Sequence, residues 1–351
     1  MRKPGKKLRV AALVIGILLL TSAAGALYLT SVPGKSHTGA LPDLTEAESV
    51  TAARIRTHIA AIATRPHNTD HYDDLEAAAR YIETELEKMG HTHQPQIFEA
   101  DGKRVRNIEV IIEPRAGSQR GTVVVGAHYD SYDKAPGAND NGSGTAALLE
   151  LARLFRANPQ QPDARVRLVF FVNEEPPYFQ DTGMGSAEYA KKLAQSGEAL
   201  IGMISLETIG YYRDAPGTQH YPFPLGLLYP DTGNFIAFVG MTSSRDFVRA
   251  TVKTFRDQTA FPSAGGVAPG FIPGIDWSDH WSFANYGYPA LMVTDTAYFR
   301  DPDYHHPTDL PAKVDVEKVA RVTHGVAKVI WRMATQGWPT EAVAPSHQKA
   351  R

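Results

Sequence analysis

The segment VVVGAHYDSYDKAPGANDNGSG, Val123–Gly144, constrains this chain more than any other, because an apolar run gives way there to a glycine-rich loop carrying His128, Asp130 and Asp140. The run Gly121–Gly126 is short, β-branched and nearly uncharged. That is the pattern of a strand buried on both faces, and ligands in open α/β sheets gather beyond the carboxyl ends of such strands. Further apolar runs follow the same style at Asn107–Glu113, Val166–Val172, Ile201–Leu206, Phe235–Val239 and Ala290–Val293, with amphipathic stretches at Asp73–Met89 and Val316–Ala334. Alternation of this kind predicts an α/β sandwich. Stretches rich in Gly and Pro, Ala215–Pro230 and Gly265–Gly274, are expected as long loops over the site beyond the strand ends.

The N-terminus reads as a targeting element. Arg2, Lys3, Lys6, Lys7 and Arg9 precede an uncharged stretch from Val10 to Ser31. Its length suits an uncleaved anchor, whereas Ala24-Gly25-Ala26 resembles a small-residue cleavage site. In both cases the basic flank stays cytoplasmic and the remainder is delivered across the membrane, to the periplasmic or extracellular face. Residues 32–44 are expected as a linker, and Thr45 with Glu48 has the capping-box spacing that opens a helix. One large domain is expected from 45 to 340, followed by a flexible tail, 341–351. The chain has no cysteine, so any metal must be held by histidine and carboxylates. A formal net charge of −2 gives no reason to expect nucleic acid as a partner.

Several apolar runs end in groups that bind metals. Leu168–Val172 leads into Asn173-Glu174-Glu175, Met203–Leu206 into Glu207, and Pro289–Val293 into a segment containing Tyr304-His305-His306-Pro307-Thr308-Asp309. Taken singly, each has an ordinary explanation as a capping, solvated or structural residue. Together they place carboxylates or imidazoles after four separate buried strands, and gathering that many acids without a cation is costly. Adjacent side chains on an extended backbone point opposite ways, so one of Glu174 and Glu175 can bind a metal while the other faces a water.

The ordered set HYD, GANDNGSG, NEE, GS, SLE-x-IG, SDH and YH resembles the M28 zinc aminopeptidases, from about Arg65-Pro66 to the C-terminal helix. The resemblance implies a three-layer α/β/α sandwich with a central mixed, mostly parallel sheet, acting on peptide substrates. It implies two zinc ions, with Asp140 bridging, His128 and Glu207 completing one site, and Glu175 and His305 the other. Glu174 would be the general acid/base, Tyr304 a donor to the developing oxyanion, and Asp130 the group that fixes the His128 tautomer. His305 rather than His306 takes the ligand position, and Ser278-Asp279-His280 lies near the active site in either a functional or a structural role. Two departures bear on this expectation. Glu207 stands where the family usually has Asp, which leaves a single-zinc site open, and the run after Glu175, PPYFQDTGMGS, is longer than usual and is expected to line the substrate pocket. The alternatives carried forward are a single-zinc glutaminyl cyclase-like transferase and a non-catalytic, membrane-tethered binding protein.

Overall fold

A computed structural model describes residues 6–118, 120–335 and 338–346; Arg2 and Lys3 of the basic flank and residues 347–351 of the expected tail lie outside them. The elements in chain order are α1 Lys6–Thr30, α2 Glu46–Ile62, α3 Tyr72–Lys88, β1 His93–Ala100, β2 Lys103–Ile112, β3 Thr122–His128, α4 Gly142–Ala157 and β4 Arg165–Phe171. There follow α5 Gly185–Gln195, β5 Leu200–Glu207, β6 Ile236–Met241, α6 Arg245–Gln258, β7 Ser263–Ala268, α7 His280–Ala284, β8 Ala290–Thr294 and α8 Val316–Thr335.

All eight strands join one sheet in the order β1-β2-β4-β3-β5-β8-β6-β7. Its centre, β4-β3-β5-β8, is parallel, whereas β1, β2 and β6 bring antiparallel pairings at the flanks. The expected mixed, mostly parallel sheet is therefore found, with helices on both faces. Val123 and Val125 of β3 pack into a core with α2, α4 and α8, while Val124 between them faces α5 and α7. This two-sided burial is why the strand reads as a continuous apolar run instead of an alternating one. Gly126 interrupts it because a Cβ there would collide with the ring of Phe171 on neighbouring β4.

The structure corrects several expectations. Residues 265–268 of the expected loop Gly265–Gly274 belong to β7, paired with β6. The small side chains that suggest a loop answer a packing demand: a Cβ at Gly265 would meet Val252, and one at Gly266 the Tyr229 hydroxyl. The capping box at Thr45 is present, with the Glu48 N–H donating to Thr45 Oγ1 at 3.2 Å and the Thr45 N–H to Glu48 Oε2 at 2.8 Å. The expected linker is seated on the domain, since Arg256 Nη1 donates to the carbonyls of Pro33 and Gly34 and the Ser263 N–H donates to Ser36 Oγ. The described part of the expected tail is tied down too, by paired backbone bonds between Val343 and Leu200. α1 contains a span, Leu13–Thr30, long and apolar enough to cross a bilayer.

Candidate metal centre

The parallel pairing brings four strand ends into line. His128, the last residue of β3, pairs in register with Phe171 at the end of β4, and Glu207 at the end of β5 pairs with Thr294 at the end of β8. Glu174 and Glu175 follow β4 by a short turn through Asn173, whose φ is +58°, and His305 arrives on the loop after β8. Asp140 comes from the loop between β3 and α4. That loop turns at Gly137, φ +70°, where a Cβ would strike the Asp140 carbonyl. Asp309 then holds it: its Oδ1 accepts the Asn139 N–H at 2.8 Å and its Oδ2 the Asp140 N–H at 3.1 Å.

Asp140 stands between two imidazoles, with Oδ1 3.5 Å from His128 Nε2 and Oδ2 3.1 Å from His305 Nε2. Glu207 Oε2 lies 3.3 Å from His128 Nε2, and Glu175 Oε2 lies 3.4 Å from His305 Nε2. Two three-residue groups result, His128–Asp140–Glu207 and Asp140–Glu175–His305, each with its ligand-type atoms within 4.8 Å of one another. They share Asp140 in the arrangement the resemblance implies. Glu174, outside both groups, has Oε2 3.9 Å from His128 Nε2. His305 is sandwiched between Tyr132 and Tyr304, both ring centroids at 3.9 Å, whereas His306 is exposed.

The electrostatics of this cluster call for a cation. Burial pushes the Glu174 carboxyl well above its ordinary range, and Glu207 and Glu175 add to the effect against the opposing His128. Burial and Asp140 together raise Glu175 to about 8. Burial pulls His305 down, but the Asp140 and Glu175 carboxylates outweigh it and hold the ring at about 10. Asp140 moves the other way despite burial, lowered by the two imidazoles. The buried atoms His128 Nε2, Asp140 Oδ2, Glu175 Oε1 and His305 Nε2 have no partner in hydrogen-bonding geometry. Nitrogen and carboxylate donors left unsatisfied in this number suit zinc, whose coordination accepts both.

The supporting residues differ in part from expectation. His128 Nδ1 lies 3.1 Å from the backbone carbonyl of Asp130 and 3.5 Å from its carboxylate, so the carbonyl is the nearer tautomer-fixing acceptor. The carboxylate of Asp130 instead accepts the N–H groups of Glu174 and Glu175, both at 3.1 Å. Ser278 donates to Glu207 Oε2 at 2.8 Å, and His280 Nε2 bonds the Ile275 carbonyl at 2.9 Å, so within the SDH segment the serine touches the site and the histidine braces a loop. Pro176, Pro177 and Tyr178 of the long run after Glu175 edge a depression shared with Asp130 and Glu175, separate from the apolar cavity beside Glu207. Asp309, at the end of YHHPTD, is a residue whose role the sequence alone does not disclose. Its motif position was visible, but not the loop it clamps.

Beside Glu207 and Tyr304 opens an apolar cavity of about 120 Å³, walled by Tyr221, Tyr229, Phe235, Val239 and Trp277. Burial and the surrounding carboxylates, Asp140 first, push the Tyr304 phenol well above its ordinary range, so it remains a hydrogen-bond donor.

Comparison with known proteins bears on this arrangement. The pattern of peptidase family M28 matches residues 107–330. An uncharacterized protein, YfbL, of Escherichia coli K12 is 39% identical over 275 residues, which are 76% of this chain and 83% of that one. A probable leucine aminopeptidase of Arthroderma otae is 29% identical over 207 residues, 56% of this chain and 49% of its own length. Among solved structures, BSAP, a zinc aminopeptidase from Bacillus subtilis, superposes with a TM-score of 0.64 at 15% identity, covering 88% of this chain and 100% of that one. A glutaminyl cyclase of Bacteroides thetaiotaomicron does so with a TM-score of 0.57 at 18% identity, covering 83% and 99%. At such identities the structural likeness speaks for the fold.

Proposed function

This chain belongs to peptidase family M28, and from that premise we propose that it is a zinc-dependent aminopeptidase, removing apolar N-terminal residues from peptides. The observation that carries the reading is the pair of ligand groups sharing Asp140, one of which contributes Glu207 to the wall of a cavity lined by aromatic and aliphatic side chains. His128, Asp140 and Glu207 would hold one ion, and Asp140, Glu175 and His305 the other. Zinc in such a site supplies Lewis acidity, lowering the pKa of water and polarising a carbonyl oxygen.

The chain's own groups do the rest. Glu174, held near His128 but outside both ligand groups, takes the proton of the attacking water on a carboxylate oxygen and returns it to the departing amine. Tyr304, kept protonated by its buried, acidic surroundings, donates its hydroxyl to the oxyanion that develops on the substrate. Asp130 positions both arms of the site, bonding His128 through its carbonyl and the Glu174–Glu175 turn through its carboxylate. The acidic cluster attracts the free ammonium of the substrate, and the cavity takes its side chain. The apolar helix α1 supports membrane tethering, with the catalytic domain on the extracytoplasmic side.

The test is hydrolysis of a panel of aminoacyl chromogenic amides and an N-terminal glutaminyl peptide by the full chain, before and after chelation and zinc re-addition, with bound metal counted. Release that is lost on chelation and restored with two zincs supports the reading. Cyclisation of the glutaminyl peptide with one zinc, and no amide release, would replace it with the cyclase alternative; both ligand groups being complete favours the peptidase.

A further inference from the structure

The two ends of α1 meet different surroundings. Over Leu13–Thr30 its mean hydropathy is 2.1, and most of that span stands clear of the rest of the chain. Its carboxyl end, by contrast, is built into the domain. Arg245 Nε donates to the Tyr28 carbonyl at 2.8 Å, and its guanidinium lies 3.7 Å over the Tyr28 ring. Arg249 donates to the Ser31 carbonyl, and the backbone of Thr30 lies against Gly266 of β7, beside the Tyr229 hydroxyl. These contacts fix where the apolar helix leaves the domain. They also place it at the cavity, since Thr30 lines the same space as Glu207 and Tyr304.

The loops that enclose this cavity present large apolar side chains to the outside. Phe223 is 89% exposed, Leu227 78% and Phe271 87%. Leu227 belongs to the short 3₁₀ turn Leu225–Leu227, two residues before Tyr229 and therefore next to the end of α1. Phe271 sits between the cavity-lining residues Ala268 and Pro273 on the facing loop. Large apolar side chains left exposed around a cavity on a soluble surface mark an interaction site. Here the rim adjoins a membrane-spanning length of helix whose carboxyl end carries Tyr28, a residue type that settles at the bilayer interface, held there by Arg245 of α6.

We propose that the rim carrying Phe223, Leu227 and Phe271 docks on the bilayer that holds α1, so that the cavity opens at the membrane surface and takes the apolar N-terminal residue of a membrane-associated peptide. The substrate half of this proposal rests on the aminopeptidase reading, and the docking half on α1 being retained as a membrane anchor.

The chain has no cysteine, so single cysteines at 223, 227 and 271 can carry an environment-sensitive fluorophore, with Gln160 as a control far from the rim. The full chain is placed in phosphatidylethanolamine–phosphatidylglycerol vesicles. Docking gives blue-shifted emission at the three rim positions, quenched by lipids bearing a nitroxide near the headgroup, and neither effect at 160. Water-like emission at the rim overturns the proposal. So does a blue shift that lipid nitroxides leave unquenched and that grows with protein density, which would assign the rim to a second copy of the chain. In the same vesicles, Phe223→Asp with Leu227→Asp slows cleavage of a bilayer-partitioned apolar peptide by about tenfold, the loss expected from un-burying two such side chains in part, and leaves a water-soluble aminoacyl amide unchanged. Equal rates on both substrates would refute the substrate half. If the parent cleaves neither substrate, the peptidase reading fails, and the quenching result still decides the docking.

Discussion

At the residue scale the site divides into groups placed to hold a cation and groups that hold those groups. Glu174 belongs to neither set, being close to His128 yet outside both ligand trios. Glu174→Gln keeps its volume and one acceptor but cannot carry the proton, so turnover should fall by about 10²–10⁴-fold with metal content unchanged. Activity within about tenfold of the parent would remove it from the acid/base role. Asp309 tests the supporting set. Both its oxygens accept backbone N–H groups on either side of the Asn139–Asp140 peptide, and burial, against those two bonds, raises its carboxyl to about 7. Asp309→Asn turns one acceptor into a donor facing an N–H, which frees the Asp140 loop. Zinc affinity measured by competition with a chelating dye should drop about 10–100-fold; parent-like affinity would show that Asp140 is positioned without it. Glu207 illustrates why a departure from a family pattern can be absorbed. Its longer side chain still brings Oε2 to 3.3 Å from His128 Nε2 and is steadied by Ser278.

Elements differ in how plainly they announce themselves. The parallel strands at the centre, buried on both faces, were legible as apolar runs, and with them came the strand ends that carry His128, the Glu174–Glu175 turn and Glu207. The edges were not. β1, HQPQIFEA, is largely exposed and held by its antiparallel register with β2, so its composition carries little hydrophobic signal. β7, SAGGVA, is fully buried, but its glycines answer close approach by Val252 and Tyr229, and sequence alone cannot separate that from a loop. Likewise the Asp130 carboxylate on the Glu174–Glu175 turn, the Asp309 clamp and the stacking of Tyr132 on His305 depend on contacts between distant segments, which no local pattern encodes. Where the signal is local, it was read. The capping box of α2 joins neighbours three residues apart, and both of its hydrogen bonds are present. Thr45→Ala removes the side-chain acceptor and should cost about 1 kcal/mol, seen as a lowered denaturation midpoint with unchanged slope. An unchanged midpoint would mean that the packing of Ile55 and Ile59 alone fixes the helix.

For the whole molecule, the site is also a keystone, because its ligands come from the ends of β3 and β5, the turn after β4, the loop before α4 and the loop after β8. A cation bound there ties together segments that otherwise meet only as a buried acidic cluster. Without it, the folded chain must hold protons. Glu175, at about 8 when folded against 4.5 as its ordinary value, keeps its proton between those limits while the unfolded chain has released it. His305, held at about 10 against 6.5, likewise keeps a proton the unfolded chain gives up. In both windows the native state binds more protons than the unfolded one, so the stability of the metal-free chain falls as pH rises from about 5 to 9. Asp140, lowered below its ordinary value, is ionised in both states throughout that range and adds no slope. Bound zinc replaces those protons, and its stabilisation grows as they become harder to retain. The melting temperature of zinc-loaded protein should therefore exceed that of chelated protein at pH 6 by a small margin and at pH 8.5 by a clearly larger one. Differential scanning calorimetry of both forms at the two pH values decides it: a gap that is constant or narrows with pH would mean that the His128–Asp140–Glu175–Glu207–His305 cluster is not where the cation binds.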